Sequence, residues 1–388
     1  MIVSRPLSGS VHHFDYIDAL RGYAILGVIA AHCAQVVPQW QGWGKQLVTQ
    51  GQQGVQLFFV ASAITLLLSW YQRADGMNAF YVRRLFRIAP MFWLGILFFS
   101  YYYGMAPRYW APDGLNWQIV LTTVFFMHGW NPTFFNSALE GGWSIAVEMM
   151  FYLVFPILVY GIRGWKLALL AFGLALLAGN LVSNWAFINR SLLWPDISND
   201  YLTWNLINLW FPSELPVFLV GFCVYFFTYR CQWKPPLWVT NFLLFTALVA
   251  MLWLALRPDP WTILHGAISL YQAYGMTFGI LAYALANQPK TNKGGNNFLV
   301  NFPIRYLGKI SYSAYIWHFV LMSTISGFIT EMLVWIGNVM STQQQVLFFC
   351  GFLSILLLIT VILSTLTYRF IELPMIRLGN RLIKSEKY

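Results

Sequence analysis

Charged side chains are scarce in this sequence. Only 9% of its 388 residues are Asp, Glu, Lys or Arg, against about 25% in a soluble globular domain. This scarcity excludes a soluble globular protein, and the 19% of aromatic residues is typical of chains whose amphipathic rings lie at membrane interfaces. The net charge of +10 does not indicate a nucleic-acid partner, because Lys and Arg in short loops ordinarily set membrane orientation. We predict a polytopic membrane protein.

Cysteine is scarce too. The four cysteines lack the spacing of a metal site and mostly fall inside apolar runs, so we predict small core residues rather than disulfides or metal ligands. The sequence also lacks an internal repeat, a low-complexity tract and a soluble domain. The first apolar run contains Asp18 and Arg21 and no clean cleavage site, which favours a retained first span over a signal peptide.

Apolar segments long enough to cross a bilayer recur along the whole chain. They are 16–37, 54–71, 88–105, 143–162, 166–187, 204–229, 237–256, 262–286, 310–336 and 345–370. An eleventh segment, 117–130, is short. If it lies in the interface or re-enters, most of the 23 Lys and Arg collect on one side, whereas the bias collapses if it crosses. The pattern favours an all-α bundle of ten spans with both termini cytoplasmic. The domains are a segment 1–15, a transmembrane domain 16–374 and a basic tail 375–388.

The first span contains ionisable residues, although a charge at the centre of such a helix costs about 2.5–3.5 kcal/mol. Eleven residues separate Arg21 from His32, so both side chains lie on one helical face, about 16 Å apart along the axis. Asp18, one turn before Arg21, can pair with it. A snorkelling arginine and a hydrogen-bonded core histidine would explain the residues. Their depth in the membrane favours a pathway or a reacting centre.

An arginine cluster, "YVRRLFRIAP" at 81–90, comes next. Arg84 and Arg87 lie one turn apart on one face, and we expect Pro90 to help start the following span. Anchoring by positive charge at the cytoplasmic face explains the cluster. A guanidinium fork also matches phosphate oxygens, so two forks on one face predict a pyrophosphate site.

Two later spans contain polar residues. In "GGWSIAVEMMFYLVFPIL" at 141–158, Glu148 should face the bundle interior, because a lipid-facing carboxylate is costly. In "GKISYSAYIWHFVL" at 308–321, Ser311, Tyr315 and His318 form a polar stripe on one helical face, with His318 near mid-depth. Structural polar packing explains the stripe equally well.

Together these segments resemble the integral-membrane acyltransferase family 3, in order along nearly the whole chain. The resemblance rests on Arg21 and His32 with ten residues between them, on Arg84-x-x-Arg87, on Trp143, Ser144, Glu148, Tyr152 and Pro156, on Ser311 to His318, and on Phe370, Glu372 and Pro374. Each motif alone is weak, and their common order makes the resemblance specific.

The resemblance implies transfer of an acyl group, usually acetyl from acetyl-CoA, to a hydroxyl of a cell-surface polysaccharide or lipid-linked sugar. It implies a multi-pass protein of the bacterial cytoplasmic membrane, with an acyl-CoA as donor substrate, no permanently bound cofactor and no metal. We expect His32, Glu148 and His318 to be catalytic, with His32 as general base or acyl relay. We expect Arg21, Arg84 and Arg87 to bind the donor. Supporting roles in the site fall to Asp18, Trp143, Ser144, Ser311 and Tyr315. The acceptor, the acyl group and the oligomeric state stay open.

The sequence departs from the family pattern at two positions. Gln56 stands where many relatives have Asp, and Ala63 stands where many have Gly. If an acid at the first position orients the base, that role is missing here or belongs to another residue such as Glu148. Glu214, in "FPSELPVFLVG", is either functional or a helix cap beside its two prolines.

A transporter is the alternative to an enzyme. Ten spans with a His/Glu proton relay at mid-depth would use the same buried residues. A relay gives no reason for an arginine pair at one face, and the inverted repeats typical of transporters are not evident. Turnover of acetyl-CoA distinguishes the two.

Overall fold

The structure, a computed structural model, describes residues 14–37, 40–73, 76–197, 199–257, 262–263, 268–288, 298–336 and 341–385. Most of the predicted N-terminal segment 1–15 and the last residues of the predicted tail, 386–388, lie outside this range. The described residues form an all-α protein, as predicted.

The helices follow one another along the chain as α1 Asp15–Val36, α2 Trp43–Thr49, α3 Gly54–Gln72, α4 Met77–Tyr103, α5 Trp117–Val124, α6 Gly142–Gly161, α7 Trp165–Ile188, α8 Arg190–Leu193, α9 Asp200–Leu209, α10 Phe211–Tyr225, α11 Leu237–Ala255, α12 Leu270–Ala286, α13 Phe302–Lys309, α14 Ser311–Ile336, α15 Thr342–Thr367 and α16 Leu373–Ser385. Short 3₁₀ segments lie at Gln50–Gln53 and His128–Trp130, and π-helical turns at Phe226–Arg230 and Tyr368–Glu372. Two-residue strands, β1 Thr262–Ile263 and β2 Ile268–Ser269, pair before α12.

Eight helical stretches in the described part of the chain are long and apolar enough to cross a membrane. They contain α1, α3, α4, α6, α7, α9 with α10, α11, and α15 with α16. The two remaining predicted spans correspond to α12, with 17 residues, and α14, with 26. The chain is therefore a multi-pass membrane protein, and the total of ten spans stays a prediction.

Segment 117–130 does not form a spanning helix. Its helix α5 has 8 residues, about 12 Å at the α-helical rise, against about 30 Å of hydrocarbon. His128 is buried near the end of the segment, and its Nε2 donates to the carbonyl oxygen of Gly142 at 3.0 Å. The segment thus packs against the start of α6.

Two predicted helix starts were wrong. The span predicted from 262 begins as a helix only at Leu270, because β1 and β2 precede it. Pro90 does not start a span: α4 begins at Met77 and continues through Pro90. Proline removes one backbone donor and commonly kinks a helix, but tertiary packing here maintains α4 on both sides of it. Arg84 and Arg87 therefore lie within the helix rather than before it.

α1 lies in the interior, whereas α7 and α11 face outward. Of the most apolar stretch of each helix, 67% is buried in α1, 11% in α7 and 17% in α11. In a membrane protein, exposed apolar faces of this kind contact lipid tails. The ionisable residues of α1 are thus surrounded by protein.

Close backbone contacts fix the position of α1. A Cβ atom at Gly308 of α13 would lie 1.8 Å from the carbonyl oxygen of Asp18. A Cβ atom at Gly51, before α3, would lie 2.2 Å from the carbonyl oxygen of Gly27. Small residues at helix contacts are the usual means by which membrane helices approach closely. The first turn and the middle of α1 are therefore held by neighbours that lack side chains.

α14 is attached to two other helical segments through polar groups. The hydroxyl of Tyr312 donates to the carbonyl oxygen of Ile88 in α4 at 2.7 Å. The Ser313 hydroxyl donates to the Glu372 carboxylate, which is buried. Two of the motifs noted in the sequence thus contact each other and fix the helix that contains His318.

Candidate active site

Three adjoining cavities lie within the helix bundle. The arginine cavity, of about 300 Å³, is lined by Arg21, Arg73, Arg83, Arg84 and Arg87. The middle cavity, of about 80 Å³, shares Arg21, Arg84 and Arg87 with it. The histidine cavity, of about 500 Å³, contains His32 and shares Val55 and Tyr315 with the middle cavity. These shared residues show that the three cavities lie next to one another in series.

α1 contributes ionisable residues to both ends of this series. Arg21 lines the arginine and middle cavities, and His32 lines the histidine cavity. Their positions on α1 separate them by about 16 Å along the axis. The helical spacing in the sequence therefore corresponds to a real separation between two cavities.

Arginine side chains of the first cavity rest against polar and aromatic neighbours. Arg21 Nη2 donates to Thr65 Oγ1 at 3.2 Å. The guanidinium carbon of Arg84 lies 5.7 Å from the ring centroid of Phe80 and 5.9 Å from that of Tyr152, at cation–π distance. Asp18 lines the same cavity, and its predicted ion pair with Arg21 stays a prediction.

Glu148 lies in the middle cavity. Its Oε1 accepts hydrogen bonds from Ser62 at 2.6 Å and from Tyr152 at 2.5 Å. Two hydroxyl donors on one carboxylate oxygen hold the group in place on the path between the arginines and the histidine cavity. Glu148 thus faces the bundle interior, as predicted.

Hydroxyls of two motifs meet beside Glu148. Ser144 Oγ lies 2.9 Å from the Tyr315 hydroxyl, and both lie within hydrogen-bond distance of the Gly141 carbonyl oxygen, at 2.9 and 3.1 Å. Ser311 also lines this cavity. The supporting residues predicted from α6 and α14 therefore converge where the middle and histidine cavities meet.

His32 projects into the histidine cavity from α1. Its Nδ1 lies 3.2 Å from Gln35 Oε1, and its ring centroid lies 4.5 Å from that of Phe319 and 5.6 Å from that of His318. Since the Gln35 oxygen only accepts, Nδ1 carries the proton and Nε2 keeps its lone pair. This is the tautomer that a general base or a nucleophile needs.

His318 is fully buried beside His32. Its Nδ1 donates to the Tyr315 carbonyl oxygen at 2.8 Å, so its Nε2 also keeps a lone pair. Among the residues that the structure describes, this Nε2 has no hydrogen-bond partner. The two imidazoles are close enough for one to influence the electrostatic surroundings of the other.

The loop before α6 closes the histidine cavity from outside the spans. Asn136 Oδ1 accepts from the Gly141 backbone N–H at 2.7 Å. Glu140 lines the cavity. Burial raises the pKa of Glu140, and the nearby Arg108 guanidinium opposes that rise. The cavity therefore has an acidic group at its loop side.

The structure brings most of the predicted site residues together, in two groups. The middle cavity gathers Arg21, Arg84, Arg87, Ser144, Glu148, Ser311 and Tyr315, and the histidine cavity gathers His32, Trp143 and Tyr315. His318 packs beside His32. Glu148 and His32 line different cavities, so of the two other residues expected to be catalytic, His318 is the one beside His32.

Several polar residues at the histidine cavity were not predicted. Gln35 could have been found by its position one turn after His32. Gln56 and Glu214, noted only as a departure and an undecided residue, contact each other: Gln56 Nε2 donates to Glu214 Oε1 at 2.8 Å. Glu140 had no signal beyond its place before the Trp143 motif. We considered Glu148 as a replacement for the acid that many relatives have at position 56. Glu214 is a closer candidate for that role, because it contacts Gln56 directly.

A family model described as an acyltransferase domain matches residues 14–365. The chain belongs to this acyltransferase family. The O-acetyltransferases OatA of Staphylococcus aureus strains NCTC 8325 / PS 47 and COL are each 24% identical over 404 residues, covering 95% of this chain and 58% of the relative. A provisionally named O-acetyltransferase of strain COL is 24% identical over 387 residues, covering 92% of this chain and 56% of the relative. The chain spans a little over half the length of these relatives, and no solved structure matches it.

Membership in the acyltransferase family confirms the resemblance on which the motifs were assigned. The matched region begins at the start of α1 and ends within α15, so it includes the three cavities except for lining residues of α16. The chain is a multi-pass membrane member of an acyltransferase family. The donor, the acceptor and the role of each residue are matters of proposal.

Proposed function

We propose that the protein transfers an acetyl group from acetyl-CoA to a hydroxyl of a surface polysaccharide or lipid-linked sugar. Acetyl-CoA enters through the arginine cavity and the acceptor through the histidine cavity. The observation that carries the proposal is that α1 places Arg21 in one cavity and His32 in the other, in a chain of the acyltransferase family.

The charge of the arginine cavity suits the donor. Coenzyme A has a pyrophosphate and a further phosphate, and the five arginines lining this cavity offer planar guanidinium forks that match phosphate oxygens. Arg84 and Arg87 lie one turn apart on α4 and suit the pyrophosphate. By the positive-inside pattern of the loops, this end of the bundle faces the cytoplasm, where acetyl-CoA is made.

The thioester arm would pass through the middle cavity. An extended arm is of the same order of length as the about 16 Å between Arg21 and His32 along α1. The middle cavity, at about 80 Å³, has the smallest volume of the three. Entry of the arm therefore requires side chains such as Phe58 and Tyr315 to move aside, which would limit leakage between the two sides when no donor is bound.

Two routes of transfer begin at His32 Nε2. In the direct route, Nε2 takes the proton of the acceptor hydroxyl, the oxygen attacks the thioester carbonyl, the C–S bond breaks, and the CoA sulfur leaves with the proton from His32. In the relay route, Nε2 attacks the thioester carbonyl, the C–S bond breaks, and CoA leaves as the thiolate. The acceptor hydroxyl then attacks the acetyl-imidazole, the C–N bond breaks to restore the neutral imidazole, and the hydroxyl proton passes to the CoA thiolate. Both routes end with an ester and CoA thiol.

A transporter with a His/Glu relay is the weaker candidate. Glu148 and His32 line different cavities, whereas a proton relay needs neighbouring groups. The relay also leaves the arginine cavity without a role. Family membership favours the enzyme.

CoA release by the purified protein tests the proposal. The protein in nanodiscs would be given acetyl-CoA, with and without a crude surface-glycan extract, beside the His32→Ala variant. We expect release that requires His32 and rises with the extract. Absence of both binding and release, from a folded sample with any acyl-CoA, would contradict the proposal and favour the transporter.

A further inference from the structure

We propose that the histidine cavity binds an uncharged sugar unit and discriminates against acidic sugars such as uronates. This inference rests on the proposed function, because it names the class of acceptor that meets the acetyl group. It concerns the charge and the hydrogen-bonding groups of the cavity lining, most of which the sequence motifs do not include.

Aromatic rings and amides both line the cavity. Trp110, Trp143 and Tyr271 line it together with the amides of Gln56 and Asn136. Ligand sites are typically apolar and aromatic, with a few polar groups that fix orientation. A sugar ring has apolar C–H faces and hydroxyls at its edge, and it matches such a lining.

The cavity amides are held in fixed orientations by the protein. Asn136 Oδ1 accepts from the Gly141 N–H at 2.7 Å, which turns its NH₂ group away from that bond. Asn205 Nδ2 donates to the Tyr201 carbonyl oxygen at 2.7 Å, which turns its oxygen away. A sugar hydroxyl both donates and accepts, so a donor amide and an acceptor amide held in this way suit it.

Gln56 provides the clearest sign that a ligand is expected. The residue is 1% exposed and lines the cavity, and its Nε2 is bonded to Glu214. Its Oε1 is buried and has no hydrogen-bond partner among the residues that the structure describes. Buried acceptors in proteins are normally satisfied. A hydroxyl of a bound sugar would supply the missing donor once the Gln56 amide turns toward the cavity that the residue lines.

The charge of the lining sets the class of sugar. Within the described part of the chain, the lining includes the carboxylate of Glu140 and no Lys or Arg. Glu214 lies directly behind Gln56 and is fully buried. Arg108, whose charge acts on Glu140, donates to the backbone oxygens of Gly104 and Ser137 at 3.3 and 2.8 Å. An acidic sugar would lose its hydration without gaining a cationic partner, whereas a neutral one incurs no such loss.

Sugar binding without any acyl-CoA tests the proposal. The probes are β-1,4-linked tetrasaccharides of glucose and of N-acetylglucosamine, each beside its counterpart oxidised to the uronate at C6. Saturation-transfer NMR at pH 8 would measure their affinity for the full-length protein in nanodiscs. The variants are Glu140→Gln and Glu140→Lys. Asp113→Asn is the matched control, because Asp113 is an exposed acid in the segment between α4 and α5, outside the cavity lining.

We expect wild type and Asp113→Asn to bind a neutral tetrasaccharide at least about tenfold more tightly than its uronate. The ratio of the affinity for the neutral probe to the affinity for its uronate should fall in Glu140→Gln. In Glu140→Lys the uronate should bind more tightly than the neutral probe. Failure of every neutral probe to bind, equal binding of neutral and uronate probes by wild type, or an unchanged ratio in both Glu140 variants would overturn the proposal.

CoA release from the same samples separates this proposal from the proposed function. If glycan-stimulated release continues while the neutral preference is missing, the acceptor class is wrong and the acyltransferase stands. If the preference is present while no acyl-CoA is turned over, the sugar site stands and the acyltransferase is wrong.

Discussion

The arginine cavity and the histidine cavity differ in charge. Five arginines line the first, whereas the described lining of the second has His32 and Glu140 and neither Lys nor Arg. Coulombic attraction falls with distance and strengthens in a low-dielectric interior. A phosphate-bearing ligand is therefore favoured in one cavity and disfavoured in the other. Under the proposed function, this difference in charge would separate binding of an anionic donor from chemistry on a neutral acceptor.

Removal of the His32 side chain should have the largest effect on acetyl transfer among the substitutions considered. His32→Ala is expected to lower acetyl transfer by about 10²- to 10⁴-fold, the usual contribution of a general base, because no other described residue places a titratable nitrogen in the histidine cavity. Steady-state transfer to the glycan extract measures the loss. Cys33→Ala is the control, since Cys33 is the next residue and is buried away from the cavity. Equal activity of the two variants would contradict the assignment.

Loss of the arginine pair should weaken donor binding rather than the chemistry. Each charge-assisted hydrogen bond contributes about 1.5–3 kcal/mol, so Arg84→Gln with Arg87→Gln should raise KM for acetyl-CoA by at least about tenfold. Arg163→Gln is the control, because Arg163 follows α6 and lies outside the cavity lining. An unchanged KM in the double variant would show that the two arginines do not bind the donor and serve only as positive charges that anchor the helix at the membrane surface. Lysine at both positions should restore only part of the affinity, because it lacks the planar fork.

A side chain at the contact of α1 with α13 should destabilise the protein. The Cβ atom of Gly308→Ala would meet the Asp18 carbonyl oxygen at 1.8 Å, and overpacking of this kind costs about 1–3 kcal/mol. Thermal unfolding in detergent measures the cost. Gly351→Ala is the matched control, since nothing lies within 4 Å of the added atom. A Tm equal to that of the control would show that α1 is held less tightly than the backbone contact indicates.

Neutralising Glu148 should have the smallest effect of the four. Glu148→Gln keeps an oxygen that accepts from Ser62 and Tyr152, and the residue lies one cavity away from His32. We expect kcat to fall by less than about tenfold, below the usual contribution of a group acting directly in proton transfer. A loss as large as that of His32→Ala would move the chemistry into the middle cavity.

Segments that cross the membrane were the most predictable part of the fold. α3 and α6 begin within one residue of their predicted starts, because a bilayer requires about 20 apolar residues in succession. α4 begins earlier than predicted because the arginines near its start interrupt the apolar run while the backbone stays helical. The short helices α2, α13 and α16 were not predicted, since each is too short or too polar for a span.

The site was predictable along each helix and not between helices. Helical spacing indicated that Arg21 and His32 share a face. The free-energy cost of a carboxylate facing lipid indicated that Glu148 points inward. Neither argument indicated that the interior of the bundle has separate cavities. Gln56 and Glu214 are 158 residues apart, so their contact depends on how α3 and α10 pack, which no local pattern records.

Transfer across a sealed bilayer tests the central claim most directly. Proteoliposomes of known orientation would receive labelled acetyl-CoA on the side of the arginine cavity and the glycan on the side of the histidine cavity. The separation of the two cavities predicts labelled ester on the glycan only when donor and acceptor are on these opposite sides. Ester formed only when both are on the same side would contradict it.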